Sequence, residues 1–247
     1  MVLTTTLGVL FLIRSGRLRP LPALLLAAPV AAVEGVFLAS NLAKIGDGGY
    51  VPVLVAGVTA LIMGSWWRGA QLVRARVQKM AIAVPSFVRM MRNSSVNVIP
   101  GTAFFLTGES GIVPSALLHN IRHNRVLHEQ TVLLTVETLR VPYATAEERA
   151  SVEVLGGCFL RLTLRFGFME TPNVSRAMAH ARRAGLRFDV MSSTFFLGRR
   201  RAVATGRGLE LALDRFYVAM SRFSADPTDF YHLPRDRVVE LGERVAI

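Results

Sequence analysis

The apolar positions fall into two regimes. Up to residue 67 they form three near-continuous runs, at residues 2–13, 20–42 and 50–67. The second and third each approach the ~20 residues that a helix needs to cross a bilayer core. The first is too short to span. It has no basic residue ahead of it, so it does not read as a signal peptide. Its Thr4, Thr5 and Thr6 make too weak a polar face for a surface-lying helix, so it reads as the last half of a membrane helix.

Beyond residue 98 the runs shorten and alternate in type. Residues 98–107 read as a strand and 114–126 as a helix opened by Pro114. Residues 131–139 form an apolar strand, and 151–169 a long strand or hairpin interrupted at Gly156-Gly157. Asn173 caps a helix at 174–184, which Gly185 closes. A strand at 188–197 follows. Leu209, Leu213, Phe216 and Met220 give residues 209–223 a helical stripe, and 238–247 ends the chain as a strand. Helices alternating with apolar strands predict an α/β domain with a mixed sheet. The organisation is therefore a membrane segment at 1–67 (two full transmembrane helices plus a partial one), a basic juxtamembrane connector at 68–97 broken at Pro85, and an α/β domain at 98–247.

Charge supplies an orientation. Residues 1–67 hold only Arg14, Arg17, Arg19 and Lys44 against Glu34 and Asp47. The three arginines lie between the first and second runs, and Arg68, Arg74, Arg76 and Lys79 follow the third. The positive-inside rule puts both clusters in the cytoplasm and the GDGG loop outside, with Trp66 and Trp67 at the interface. The net charge of +12 fits attraction to anionic lipid better than nucleic acid, because no RNA- or DNA-binding signature accompanies it. Glu34 stands in mid-span, a costly place unless it faces protein or water. It is a functional candidate, or else it caps a neighbouring helix or bonds Ser40 or a missing partner. Pro29 interrupts the same helix's ladder and predicts a kink.

Few residues outside the spans point to chemistry. His119 and His123 are four apart, as are Asn120 and Asn124, so each pair shares a helical strip. Two His at that spacing make half a zinc site, but the metalloprotease Glu and a third ligand are missing, and His128-Glu129 sit at another angle or past the helix end. Polar side chains tying the helix to nearby backbone are the simpler reading. No phosphate-binding Gly loop, no nucleophile elbow at Ser110 or Ser115, and one cysteine, Cys158, in an apolar stretch argue against an enzyme and against any cofactor or metal. The run GRRRAVATGRG reads as a loop after a strand. Its Arg199, Arg200, Arg201 and Arg207 form either a solvated turn or a site for an acidic lipid headgroup or nucleotide second messenger.

Taken in order, Asp47-Gly48-Gly49-Tyr50-Val51-Pro52, Trp67-Arg68-Gly69, Ile99-Pro100-Gly101-Thr102-Ala103, the string LLHNIRHNRVLHE, Arg165-Phe166-Gly167-Phe168-Met169-Glu170 and the terminal RVVELGERVAI resemble the C-terminal part of the Kup (KUP/HAK/KT) potassium uptake permeases. The chain departs from that family at GLELALDRF, where a WRE-type segment is usual, and at Phe223-Ser224, where Asn-Ala is usual. The resemblance implies a proton-coupled potassium importer of about twelve membrane helices. On that plan this chain holds the end of the tenth helix, the eleventh, the twelfth and the cytosolic domain, without the ion-binding helices. It implies potassium and protons as partners only in an intact transporter, beside the lipid bilayer and either a homodimer or a missing N-terminal half. The alternative is a membrane-anchored regulatory or ligand-binding module that pairs with a full-length or split transporter.

Overall fold

In a computed structural model, residues 1–92, 94–189, 192–224 and 226–247 are described. They divide into two compact units, Met1–Gly64 and Ser65–Ile247. The first holds α1 (Val2–Arg14), α2 (Pro20–Ala43) and a wide turn at Ile45–Gly49. The unit boundary falls within α3 (Tyr50–Lys79), so the stretch expected to be a separate connector begins as the unbroken continuation of a helix. Both α2 and α3 are long and apolar enough to cross a membrane. Residues 24–26, 36–38 and 53–55 are exposed, as suits side chains facing lipid.

Within the first unit Glu34 is 6% exposed, and the Thr5 hydroxyl donates to its Oε1 at 2.8 Å. Its partner is therefore Thr5 on α1 rather than Ser40. A carboxylate that receives a hydroxyl from the neighbouring helix ties the two together where water is scarce.

The second unit is built on a six-stranded sheet in the order β3-β4-β2-β1-β5-β6. The strands are β1 (Asn97–Thr107), β2 (Val126–Leu139), β3 (Ala150–Gly156), β4 (Phe159–Gly167), β5 (Ser193–Val203) and β6 (Val238–Ala246). All neighbours are parallel except the β3–β4 hairpin, which turns on Gly156 and Gly157, both at positive φ. Parallel strands bury both faces. Accordingly Phe104 faces α6 (Val174–Arg183), while Ala103 and Phe105 face α4 (Val84–Met91) and the short α5 (Ser115–His119). The β1–β5 pairing is stacked on both sides, Phe104 on Phe195 at 4.9 Å and Phe105 on Phe196 at 4.6 Å.

Several elements depart from the sequence reading. The helix expected at 114–126 ends in a wide turn at Asn120–Asn124, because Arg125 is left-handed (φ 54°) and starts β2 five residues before the expected strand. The strand expected at 188–197 is found at Ser193–Val203, and Val190 and Met191 lie outside the described residues. Asn173 caps α6 as expected, its Oδ1 accepting from the Arg176 amide at 2.9 Å.

The string RFGFME has a structural explanation. Glu170 accepts from the amides of Gly167 (2.6 Å) and Ala144 (3.3 Å) and from the Arg149 guanidinium (2.5 Å), latching the end of β4 to the loop after β2. A Cβ on Gly167 would lie 2.1 Å from the Pro142 carbonyl, so only glycine fits there. The Arg149 bond, reinforced by the two amides, holds the Glu170 carboxyl below its usual range. A depressed carboxyl stabilises the fold above its unfolded value, and that contribution is lost as pH falls through the folded one. Glu170→Gln should therefore lower the Tm at neutral pH, and its gap to the parent should close as acid thermal melts descend below about pH 4.5.

Candidate functional site at the carboxyl ends of the strands

The chain leaves β1 through α5 to reach β2 on one side, and leaves β4 through α6 to reach β5 on the other. This reversal falls between β1 and β5, where a small cavity beyond the end of β1, lined by Thr107, Gly108, Ser115 and Gly198, occupies the position at which open α/β sheets bind ligands. β5 pairs with β1 only as far as Phe105↔Phe196 and continues to Val203 on β6 alone. Along that extension lies a crevice of about 710 Å³, lined by residues 198–203, by Tyr217, Ser221, Arg222 and Asp226, and by Arg244.

Arg199, Arg200 and Arg201 are thus strand residues rather than a loop, because nine residues of β6 pair alongside β5 and carry it through them. Alternation sends Arg199 and Arg201 to one face and Arg200 to the other. Arg199 meets Glu240 at 2.9 Å and Asp226 at 3.5 Å, and these carboxylates, Glu240 first, raise its pKa further. Arg200 meets Glu243 at 3.6 Å. Arg201 stands in register beside Arg244, on a strand about 4.8 Å away. Among the described residues, no carboxylate pairs with Arg201, Arg222 or Arg244, and all three are exposed. Arg207 follows β5, is exposed and does not line the crevice. The sequence singled out the arginine run but missed Arg222, which the end of the helix at Leu209–Ser221 brings to it, and Arg244, which strand pairing brings to it.

α7 (Leu209–Ser221) walls the crevice and is pinned to α3. Arg68 donates to Asp214 at 2.5 Å and lies 3.8 Å from Glu210, while Asp214 is only 2% exposed. The Tyr217 ring packs on Trp66 at 5.3 Å and so closely on Gly69 that a Cβ there would come within 2.2 Å of it. Burial raises the Tyr217 phenol's pKa.

The HNIRHN string lies elsewhere. Asn120 is buried and donates to the Val126 carbonyl at 2.9 Å, and Asn124 donates to Asn120 Oδ1 at 2.8 Å, so this pair closes the turn into β2. The His119 and His123 rings stack 5.8 Å apart. His128 sits in β2 against Phe196, its Nδ1 buried without a partner, and burial lowers its pKa. Glu129 points to solvent. Among the described residues no cluster of three or more His, Cys, Asp or Glu could hold a metal ion.

Two helices long and apolar enough to cross a membrane, followed by a doubly wound, mostly parallel α/β unit, fit an integral membrane protein with a large extramembrane domain. Comparison with known proteins specifies the class. Residues 1–71 match the K+ potassium transporter integral membrane domain, and residues 100–247 match the K+ potassium transporter C-terminal domain. The chain belongs to the K+ potassium transporter family. It is 43% identical over 251 residues to the "Probable potassium transport system protein Kup 2" of Sinorhizobium medicae strain WSM419, covering 100% of this chain and 40% of that one. It is 44% identical over 229 residues to the Kup protein of Rhizobium rhizogenes strain K84, covering 91% of this chain and 36% of the relative. Kup 1 of Rhizobium meliloti strain 1021 is 44% identical over 223 residues, 89% of this chain and 36% of its own. This chain thus spans about 40% of the curated relatives' length. No solved structure matches it.

The α7 contacts yield a direct test. Gly69→Ala should push Tyr217 off α3, and Arg68→Ala should leave the Asp214 carboxylate buried without its cation. In chemical unfolding of the second unit, the first should cost about 2–4 kcal/mol and the second about 3–5 kcal/mol. Asp214→Asn added to Arg68→Ala should recover part of the second loss.

Proposed function

We propose that this chain is the C-terminal part of a proton-coupled potassium uptake transporter, a potassium:proton symporter, with its α/β unit on the cytoplasmic side. The observation that carries the reading is the match of both the membrane and the C-terminal family parts, together with relatives named as potassium transport proteins. The arginines that bracket the spans support the orientation.

These 247 residues are proposed not to move potassium alone, and to work with further transport helices or a second copy. The buried ionisable side chain described within the spans is Glu34, and Thr5 already occupies one of its oxygens. Cells deficient in potassium uptake that express this chain should take up rubidium no faster than empty-vector cells. Uptake clearly above that background would refute the fragment reading.

A second reading rests on the crevice. Three arginines without carboxylate partners, two of them adjacent in register, suit a phosphate-bearing ligand, since guanidinium donors match phosphate oxygens in pairs. The α/β unit then acts as a ligand-binding, regulatory module on the transporter. Calorimetry with inorganic diphosphate, on the chain in neutral detergent, should show saturable binding. Arg201→Ala with Arg244→Ala should weaken it by about tenfold or more, because each charge-assisted bond contributes about 1.5–3 kcal/mol. Arg183→Ala with Arg187→Ala should leave it nearly unchanged. Equal losses in both double variants would mean diffuse attraction and no site.

A further inference from the structure

The apolar stripe of α7 is turned outward. The spacing of Leu209, Leu213, Phe216 and Met220 predicts a face for the protein core, yet the buried residues of the helix are Asp214 and Tyr217. Leu209 is 78% exposed, Phe216 37%, and Phe223, just past the helix end, 91%. At 100° per residue, Leu209, Ala212, Leu213, Phe216, Ala219, Met220 and Phe223 all fall within one apolar strip, with no charged side chain inside it. Arg215 and Arg222, both exposed, flank it on one side.

The contacts of α7 give the direction of that strip. Along α3, Trp66, Arg68 and Gly69 meet Tyr217, Glu210 and Asp214, while Leu72, Val73, Ala202 and Val218 pack around Tyr217, Val245 and Ile247 at the end of the sheet. Val218 looks toward the sheet, and the strip lies on the opposite side of the helix. It therefore faces away from the sheet, at the level of α3 where Trp66 packs on Tyr217. Tryptophans at the close of an apolar span mark the lipid–water interface.

From this geometry we infer that α7 is an interfacial helix, lying in the bilayer surface with Leu209, Phe216 and Phe223 among the acyl chains and Arg215 at the lipid phosphates. Charge supports lipid as the occupant. Both acids of α7, Glu210 and Asp214, are directed to Arg68, which leaves only arginines along the rim. An apolar face with a basic border is the pattern that seats helices on anionic membranes. This inference goes beyond the transport reading and stands whether or not the crevice binds phosphate.

The test places a fluorescent label in the bilayer-reconstituted full chain. In a Cys158→Ser background, Leu209→Cys, Phe216→Cys and Phe223→Cys are each labelled with an environment-sensitive fluorophore, and Arg183→Cys on α6 serves as the reference. Vesicles contain phosphatidylcholine and phosphatidylglycerol, and emission is quenched either by spin-labelled lipid or by aqueous iodide. An interfacial α7 predicts lipid quenching at the three positions about twofold or more above that at Arg183→Cys, with iodide quenching reduced. Iodide quenching equal to that of the reference would place the strip in water. Resistance to both quenchers would place it under another protein segment. Either result overturns the inference. Should Phe216→Cys disturb packing, as circular dichroism would reveal, the more exposed positions 209 and 223 still decide.

Discussion

The Arg68–Asp214 pair, closed over by Tyr217 seated on Gly69, governs the arrangement of the second unit's last third. It sets the rotation of α7. A carboxylate left buried without its cation costs about 3–5 kcal/mol, so α7 keeps this side inward. The same rotation brings Tyr217, Ser221 and Arg222 against the extension of β5, which makes the crevice. One ion pair between residues 146 positions apart thus decides both what α7 hides and what it presents.

Much of the scaffold was legible from local chemistry. Asn173 before an amphipathic helix, Gly156-Gly157 within a strand pattern and span-length apolar runs each carry their signal within a few residues. What escaped depends on partners distant in sequence. Arg199–Arg201 look like a surface loop until β6 supplies Glu240 and Glu243 as cross-strand partners about forty residues later. Arg125 adopts a left-handed backbone that its identity does not announce, and so cuts the expected helix short. For α7 the periodicity was right about the stripe and silent about what the stripe faces. A hydrophobic period reports avoidance of water and does not distinguish protein core from lipid.

Several of the strings that carry the family resemblance act as fasteners. Glu170 latches the loop after β2, Gly167 allows that loop to approach, and Asn120 and Asn124 close the turn into β2. The residues with unspent chemistry, Arg201, Arg222 and Arg244, come from three separate segments and meet only through strand order and the rotation of α7. Motifs that are local in sequence therefore report on folding here, whereas the arginines without a carboxylate partner among the described residues are brought together by strand order and the rotation of α7.

The rotation of α7 also has an energetic implication. Each large apolar side chain withdrawn from water contributes about 1.5–3 kcal/mol, so leaving Leu209, Phe216 and Phe223 in water forgoes a sum comparable with the ion pair or larger. In bulk water the helix would gain by rolling its stripe inward, at the expense of Asp214. Against a bilayer no such conflict exists, because lipid receives the stripe while Arg68 keeps Asp214. The outward stripe and the buried carboxylate are then a single solution, and its second half is the membrane surface at which the apolar part of α3 ends.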